Sequence, residues 1–282
     1  MKNLKVWQKL LLIGAVFMAP FAVVTYKMIS YLDTLGVDFA RQELRGLDYY
    51  GPLSALLKDL QQHRAVAAAW LSGNPAYHDL LAAGDSAVEA DIKAVDDANR
   101  RLDPALQVGA KWAAVSAAVH DLLGKSAGLG AEDSFRLHSK VIEQTVRLIG
   151  DVGDASKLTL DPDIDSYYLM EVVIFQAPAL SEFVGQAGAP DARGLDNWSV
   201  LADYQSKQID ESLGKVFDFN AEVKARLAPA QSGSASAAAE AAAGIARLAA
   251  GRKADPKGAD AYTAVSRGVN LIADMDARAA DT

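Results

Sequence analysis

The sequence predicts an all-α fold: an N-terminal transmembrane helix, then an elongated helical bundle arranged as two stacked bundles sharing long helices. Three observations carry this expectation. Leu10–Tyr26 reads LLLIGAVFMAPFAVVTY, without a charge. After it, Ala, Leu, Gln, Glu, Lys and Arg dominate, with apolar positions at helical spacing and only short β-branched runs. The stretch 30–282 is also longer than one four-helix bundle uses.

The apolar run extends to Ile29, about twenty residues, enough for a helix to cross roughly 30 Å of hydrocarbon. Lys2, Lys5 and Lys9 precede it, and no acid occurs before Asp33. Cations ahead of a first span stay in the cytoplasm. Residues 1–9 are therefore expected inside, 10–29 across the bacterial inner membrane, and 30–282 in the periplasm. A cleaved signal peptide would share the basic start and the apolar run. Neither Phe17-Met18-Ala19 nor Pro20-Phe21-Ala22 has the small first residue that cleavage needs. An uncleaved anchor is expected.

In the body, a helix over Tyr26–Tyr50 is expected to meet a break at Gly51-Pro52. The next covers Pro52–Leu71 and stops at Ser72-Gly73-Asn74-Pro75. Helices over Ala87–Leu102 and Pro104–Leu123 follow, divided by Asp103-Pro104, then one over Glu132–Val152. Asp161-Pro162-Asp163 opens another, with Asp161 as N-cap and Pro162 in the first turn. Asp163 and Asp165 suit the positive end of that helix. It reaches Gly185, with a kink at Pro178. A long helix over Asp196–Leu227, an Ala-rich one over Ser232–Gly251 and a last one over Lys257–Ala280 complete the body.

Of 282 residues, 28 are Lys or Arg and 36 are Asp or Glu, a formal net charge of −8, and none is Cys. A hydrophobic content of 51% excludes a disordered chain. The acidic balance argues against nucleic acid as a partner. Without Cys there is no thiolate metal site and no Cys nucleophile. No phosphate loop, GxSxG or HExxH occurs, and His63, His78, His120 and His138 form no i,i+4 pair. Asp161, Asp163 and Asp165 have the first spacings of a calcium loop, but Ser166 stands at its glycine and Val172 at its bidentate Glu. Enzyme activity, a cofactor and a metal are not expected.

Two segments are more informative. In Pro52–Asn74 the apolar stripe Leu53, Leu57, Leu60, Ala67, Leu71 passes through position 64, which is Arg. A parallel row through Leu56, Leu60, Ala67 and Trp70 meets His63. A guanidinium on a buried face must meet a carboxylate or an anion, because an unpaired buried charge is very costly. Its planar fork suits carboxylate, nitrate or phosphate. Arg64 therefore either pairs with an acid of another helix or binds a ligand directly. His63 is either a satisfied core histidine or a ligand contact. In the second segment, DASKLTLDPDIDSYYL, the core stripe runs through Tyr168, Val172, Phe175, Ala179 and Phe183. Asp165 lies near that face and is the acid expected to pair with Arg64. Tyr167 and Tyr168 either fill core and rim or offer hydroxyls at the mouth of an interhelical pocket.

The stretches LQQHRAVAAAWLSG and KLTLDPDIDSYYLM resemble the extracytoplasmic helical sensor region of bacterial methyl-accepting chemotaxis proteins, and of related membrane histidine kinases and diguanylate cyclases. The first also resembles the first helix of nitrate- and nitrite-sensing (NIT) domains, where Gln-x-Glu-Arg-Gly occurs; here His63 replaces the Glu and Ala65 the Gly. A weaker similarity extends over Ala261–Asp276. The resemblance implies a chemotaxis-type receptor, a homodimer that binds a small anionic solute between helices. The ligand-binding set would be Gln61, His63, Arg64, Asp165, Tyr167 and Tyr168. Such receptors continue into a second membrane helix and cytoplasmic signalling modules; no second apolar run follows Ile29 here. The Tyr31–Gln42 helix is only partly apolar, so two copies would pair weakly unless tethered in one membrane. The alternative is a membrane-anchored helical scaffold of the cell envelope without a small ligand.

Overall fold

The computed structural model describes residues 5–160, 163–190, 194–231, 237–254 and 261–282. Those residues are almost wholly helical, and no strand occurs among them. The helices are α1 (Val6–Leu32), α2 (Asp38–Leu71), α3 (His78–Leu106), α4 (Gly109–Lys125), α5 (Ala131–Ser156), α6 (Ile164–Glu171), α7 (Ala177–Gln186), α8 (Leu195–Phe219), α9 (Ala221–Gln231), α10 (Ala237–Ala254) and α11 (Ala261–Ala280). A π turn at Asp33–Val37 joins α1 to α2, and another at Val172–Gln176 joins α6 to α7. The chain divides into two units, Met1–Leu44 and Arg45–Thr282, with the boundary inside α2.

In the first unit, α1 runs 27 residues with Pro20 inside it and no buried residue. Trp7, Leu10, Phe17, Phe21 and Tyr26 are all exposed. A helix that is apolar all round and packed against nothing suits hydrocarbon. Its length and composition are sufficient to cross a membrane.

The second unit is organised around α2, whose residues from Tyr49 to Ala68 are mostly buried. Side-chain contacts give the direction of each neighbour. Tyr49 bonds Asn99 and His63 bonds Asp85, so α3 runs antiparallel to α2. Lys111 meets Asp151, which sets α4 against α5. Gly46 lies against Ser156 and His63 bonds His138, so α5 runs antiparallel to α2. Tyr50 bonds Val173 and Gln61 bonds Ser181, so the α6–α7 segment runs parallel to α2. Tyr50 and Gln62 bond Asp276 and Asn270, so α11 runs antiparallel. Helices α3, α4 and α5 pack on one another, as do α7, α8, α10 and α11, and α2 is the long helix the two sets share. One apolar core runs through both sets, and a small second cluster of Val66, Ala67 and Leu81 sits near Trp70 and Tyr77.

Several boundaries differ from the sequence expectation. Gly51-Pro52 does not break α2. Pro52 withdraws one N–H from the ladder, but Tyr49, Tyr50, Leu53 and Leu56 around it are fully buried, and that packing outweighs the lost bond. Asp103-Pro104 likewise lies within α3, which ends at Gln107 in the left-handed conformation. The Asp103 carboxylate instead accepts the Gly109 N–H at 2.6 Å and ties α3 to the start of α4. The long helix expected over Asp196–Leu227 is two helices divided at Asn220, whose Oδ1 caps the Val223 N–H at 3.0 Å. Pro178 falls in the first turn of α7, just after the π turn. The N-cap and first-turn roles of Asp161 and Pro162 lie outside the described residues, as do residues 232–236 and 257–260 of the last two expected helices.

Gly268 of α11 and Gly244 of α10 make contrasting probes. A Cβ at Gly268 would lie 2.7 Å from Val184 Cγ1, whereas at Gly244 it would meet only Arg247 Nη2 at 4.0 Å. Gly268→Leu is expected to destabilise by about 1–3 kcal/mol through overpacking. Gly244→Ala should stabilise by up to about 1 kcal/mol through helix propensity. Denaturant unfolding of the two variants checks both signs.

Candidate functional site

Arg64 is the largest fully buried side chain, and the helix face that carries it explains why. The Leu53, Leu57, Leu60 stripe turns position 64 into the interior, where the guanidinium has no exposed surface of its own. Its charge is met by Glu182 on α7, not by Asp165: Nη1 donates to Oε1 at 2.8 Å and Nη2 to Oε2 at 3.0 Å. Nη1 also donates to Ser139 Oγ at 2.9 Å, and the guanidinium lies over the Phe135 ring at 4.8 Å. Nε is buried without a partner. Gly185 makes the approach possible, since a Cβ there would collide with Nη2.

The Glu182 carboxylate is itself held like a bound anion. Besides the arginine fork it accepts from Gln61 Nε2 at 3.2 Å and from Gln186 Nε2 at 2.6 Å. Gln61 Nε2 also donates to Ser181 Oγ at 3.0 Å. Such charge-assisted, bidentate bonds are the strong class. The Glu182 side chain keeps 19% exposure, so it can reach solvent without unfolding the helix.

His63, next to Arg64, faces the other way. Its Nδ1 lies 2.7 Å from His138 Nε2, and its Nε2 2.8 Å from Asp85 Oδ1. Burial lowers the His63 pKa, and Asp85 offsets part of that. Burial, the His63 charge and Arg64 together hold His138 down to about 3, against a bond to the Ser134 carbonyl that raises it.

Below Gln61, the remaining polar groups of α2 enclose a cavity with room for about one water, some 10 Å³, lined by Ser54, Lys58, Gln61, Ser181 and Asp276. Gln61 Oε1 and Asp276 Oδ1 are buried there without a partner. Asp276 Oδ2 bonds the Tyr50 and Ser54 hydroxyls. Burial raises the Asp276 carboxyl to about 7, although both hydroxyls act to lower it.

The structure thus brings Gln61, His63 and Arg64 together on α2 and leaves Asp165, Tyr167 and Tyr168 apart. Because α6–α7 runs parallel to α2, the residue level with Arg64 is Glu182, and Asp165 lies seventeen residues earlier, about 25 Å of helix. Asp165 accepts from Asn220 Nδ2 at 2.8 Å, a bond that lowers its pKa. Tyr168 is half-buried with Lys215 Nζ 4.5 Å over its ring. Tyr167 borders a separate cavity of about 170 Å³ with Leu158, Met170 and Phe175. Glu182, Gln186, Asp85 and His138 were not singled out from the sequence. One signal was present: Glu182 is the only charged residue between Glu171 and Asp191. Among the described residues no cluster of three or more His, Asp or Glu has the arrangement to hold a metal ion.

The chain folds like the NasR transcription antiterminator. The solved structure of that protein superposes with a TM-score of 0.68 at 17% identity, covering 91% of this chain and 72% of that one. The likeness is one of fold. The chain matches no family model and no curated protein.

Three outcomes follow from this geometry. Arg64→Ala strands Glu182 among donors it can no longer satisfy and is expected to cost about 3–5 kcal/mol in chemical unfolding. Arg64→Met combined with Glu182→Leu should recover most of that loss, since an apolar pair carries no desolvation cost. Asp276 binds a proton more tightly folded than unfolded, so its contribution to stability is present at low pH and lost as pH rises toward about 7. Asp276→Asn, which mimics the protonated acid, should therefore raise the thermal midpoint most near pH 8 and progressively less at lower pH, the difference vanishing only near pH 3, below the unfolded carboxyl value of 3.8.

Proposed function

We propose that the chain is the membrane-anchored, extracytoplasmic sensor of a chemotaxis-type signal-transduction receptor, binding a small planar oxyanion at the Arg64 seat. The observation that carries this reading is the Glu182 carboxylate, held by four donor bonds from Arg64, Gln61 and Gln186. Donors that serve both oxygens of a carboxylate suit a free monoanion of similar shape. A ligand would compete with Glu182, which turns to solvent as the ligand takes the arginine fork. Because Arg64 is on α2 and Glu182 on α7, exchange of one anion for the other alters the contact between these helices. That difference lets occupancy bias two packings.

Three further points support the reading. The Gln61-x-His63-Arg64 helix resembles that of sensor regions. The fold is shared with a regulatory protein, the NasR antiterminator of transcription. The exposed apolar α1 suits an anchor. To that anchor we add, as part of the proposal, a body in the periplasm and two copies paired as a homodimer. Asp165, Tyr167 and Tyr168 fall outside this seat and are not assigned a ligand contact. One observation favours the envelope scaffold instead: both Nη groups of Arg64 are already engaged, so the charge is satisfied without a ligand.

Thermal unfolding of the full chain in detergent micelles separates the two. Nitrate, formate and acetate should raise the midpoint with concentration, by about 2.7 kcal/mol at a hundredfold excess over Kd, whereas sulfate should not. Glu182→Gln should respond at lower anion concentration, since the competing carboxylate is gone. A midpoint that no anion moves in either protein would favour the scaffold.

A further inference from the structure

Asp85, His63 and His138 form a hydrogen-bonded chain that the anion seat does not use. It starts at a carboxylate whose side chain is 48% exposed on α3, crosses two fully buried rings, and ends on the Ser134 carbonyl, 2.7 Å from His138 Nδ1. The proton count of this chain decides its chemistry. A carbonyl only accepts, so His138 Nδ1 carries a proton. A neutral His138 then presents a lone pair at Nε2, and His63 Nδ1 must donate to it across 2.7 Å. A neutral His63 has no second proton, so its Nε2 lone pair would face the Asp85 carboxylate at 2.8 Å. Three contacts need three protons, and two neutral imidazoles bring only two.

We propose that Asp85, His63 and His138 form a proton-operated latch joining α3, α2 and α5, closed when one proton enters at His63 past Asp85 and open when it leaves. The charged and titratable groups around the rings fix where the proton rests. Asp85 on α3 attracts it to His63. Arg64 on α2 repels it from His138. Glu182 on α7 neutralises Arg64 and lies beyond it. Burial disfavours charge on both rings, so the latch closes on the acid side of an ordinary imidazole. In the open state Asp85 turns to solvent. Gly84 shapes the contact: a Cβ there would come within 3.0 Å of His63 Cδ2. A single metal ion cannot replace the proton across all three groups, because the two nitrogens of His63 point to opposite sides.

Ring nitrogen–proton correlation spectra of the full chain in detergent micelles, followed from about pH 8 to about pH 4.5, test this. The chain has four histidines, and the exposed His78 and His120 serve as internal references. His138 should stay neutral with its proton on Nδ1. His63 should start as the Nδ1–H tautomer and become doubly protonated only on the acid side of the ordinary imidazole value of 6.5. Asp85→Asn should push that midpoint down by about 1–3 pH units. Backbone hydrogen exchange around Asp85 should slow on acidification in the wild type and not in Asp85→Asn. A His63 midpoint unchanged by Asp85→Asn, or exchange that ignores pH, overturns the latch. So does a neutral His63 with its proton on Nε2, which the wild type alone reveals should the variant not fold.

Discussion

A full positive charge buried on the central helix is the constraint the second unit is built around. Arg64 cannot leave the interior, because the stripe that carries it is apolar on both sides. Everything within reach answers that charge: Glu182 neutralises it, Ser139 accepts a further hydrogen bond, Phe135 offers a ring face, and Gly185 yields space. An ion pair in such a place is a poor source of net stability. What it imposes is register. Only one level and one rotation of α7 bring Glu182 to the fork, so the pair fixes how the two sets of helices meet along α2.

The same position between two sets explains the chemistry of α2. A helix with neighbours on most sides keeps only a narrow, partly exposed stripe, through Gly51, Ala55, Lys58 and Gln62, and turns its other polar residues inward. Tyr50, Ser54, Gln61, His63 and Arg64 therefore find partners on α3, α5, α7 and α11, one after another along the helix. Where partners run short, the orphan oxygens of Gln61 and Asp276 face a cavity that can hold a water. Polar groups so placed cost stability unless satisfied, and that cost is what makes them responsive: a proton or an anion changes which bonds can be made.

Much of this was legible in the residues, and the misses have a common cause. The apolar run, the helical class and the inward face of Arg64 follow from local periodicity, which a sequence carries. The partner of Arg64 does not, because it depends on whether α6–α7 runs with α2 or against it. Asp165 was the natural acid if nearness to Tyr168 decided; the parallel direction puts Glu182 there instead. His138 and Asp85 were hidden for the same reason, being distant in sequence from His63. Pro52 and Pro104 misled in the other direction, since tertiary packing carried helices past residues that end isolated ones. Asn220 divides a helix without Gly or Pro, through a capping bond from its own side chain.

The π turn at Val172–Gln176 acquires a meaning from this arrangement. A π turn holds one residue more than the α-helical ladder would, and the extra residue frees a backbone oxygen. Tyr50 donates to the Val173 carbonyl within it. That residue also acts as a phase shifter. At 3.6 residues per turn, each residue added or removed rotates everything beyond it by about 100°. Were the same residues wound as a regular α-helix, α7 would be rotated by about 100° about its axis, and Glu182 would turn away from the buried charge on α2.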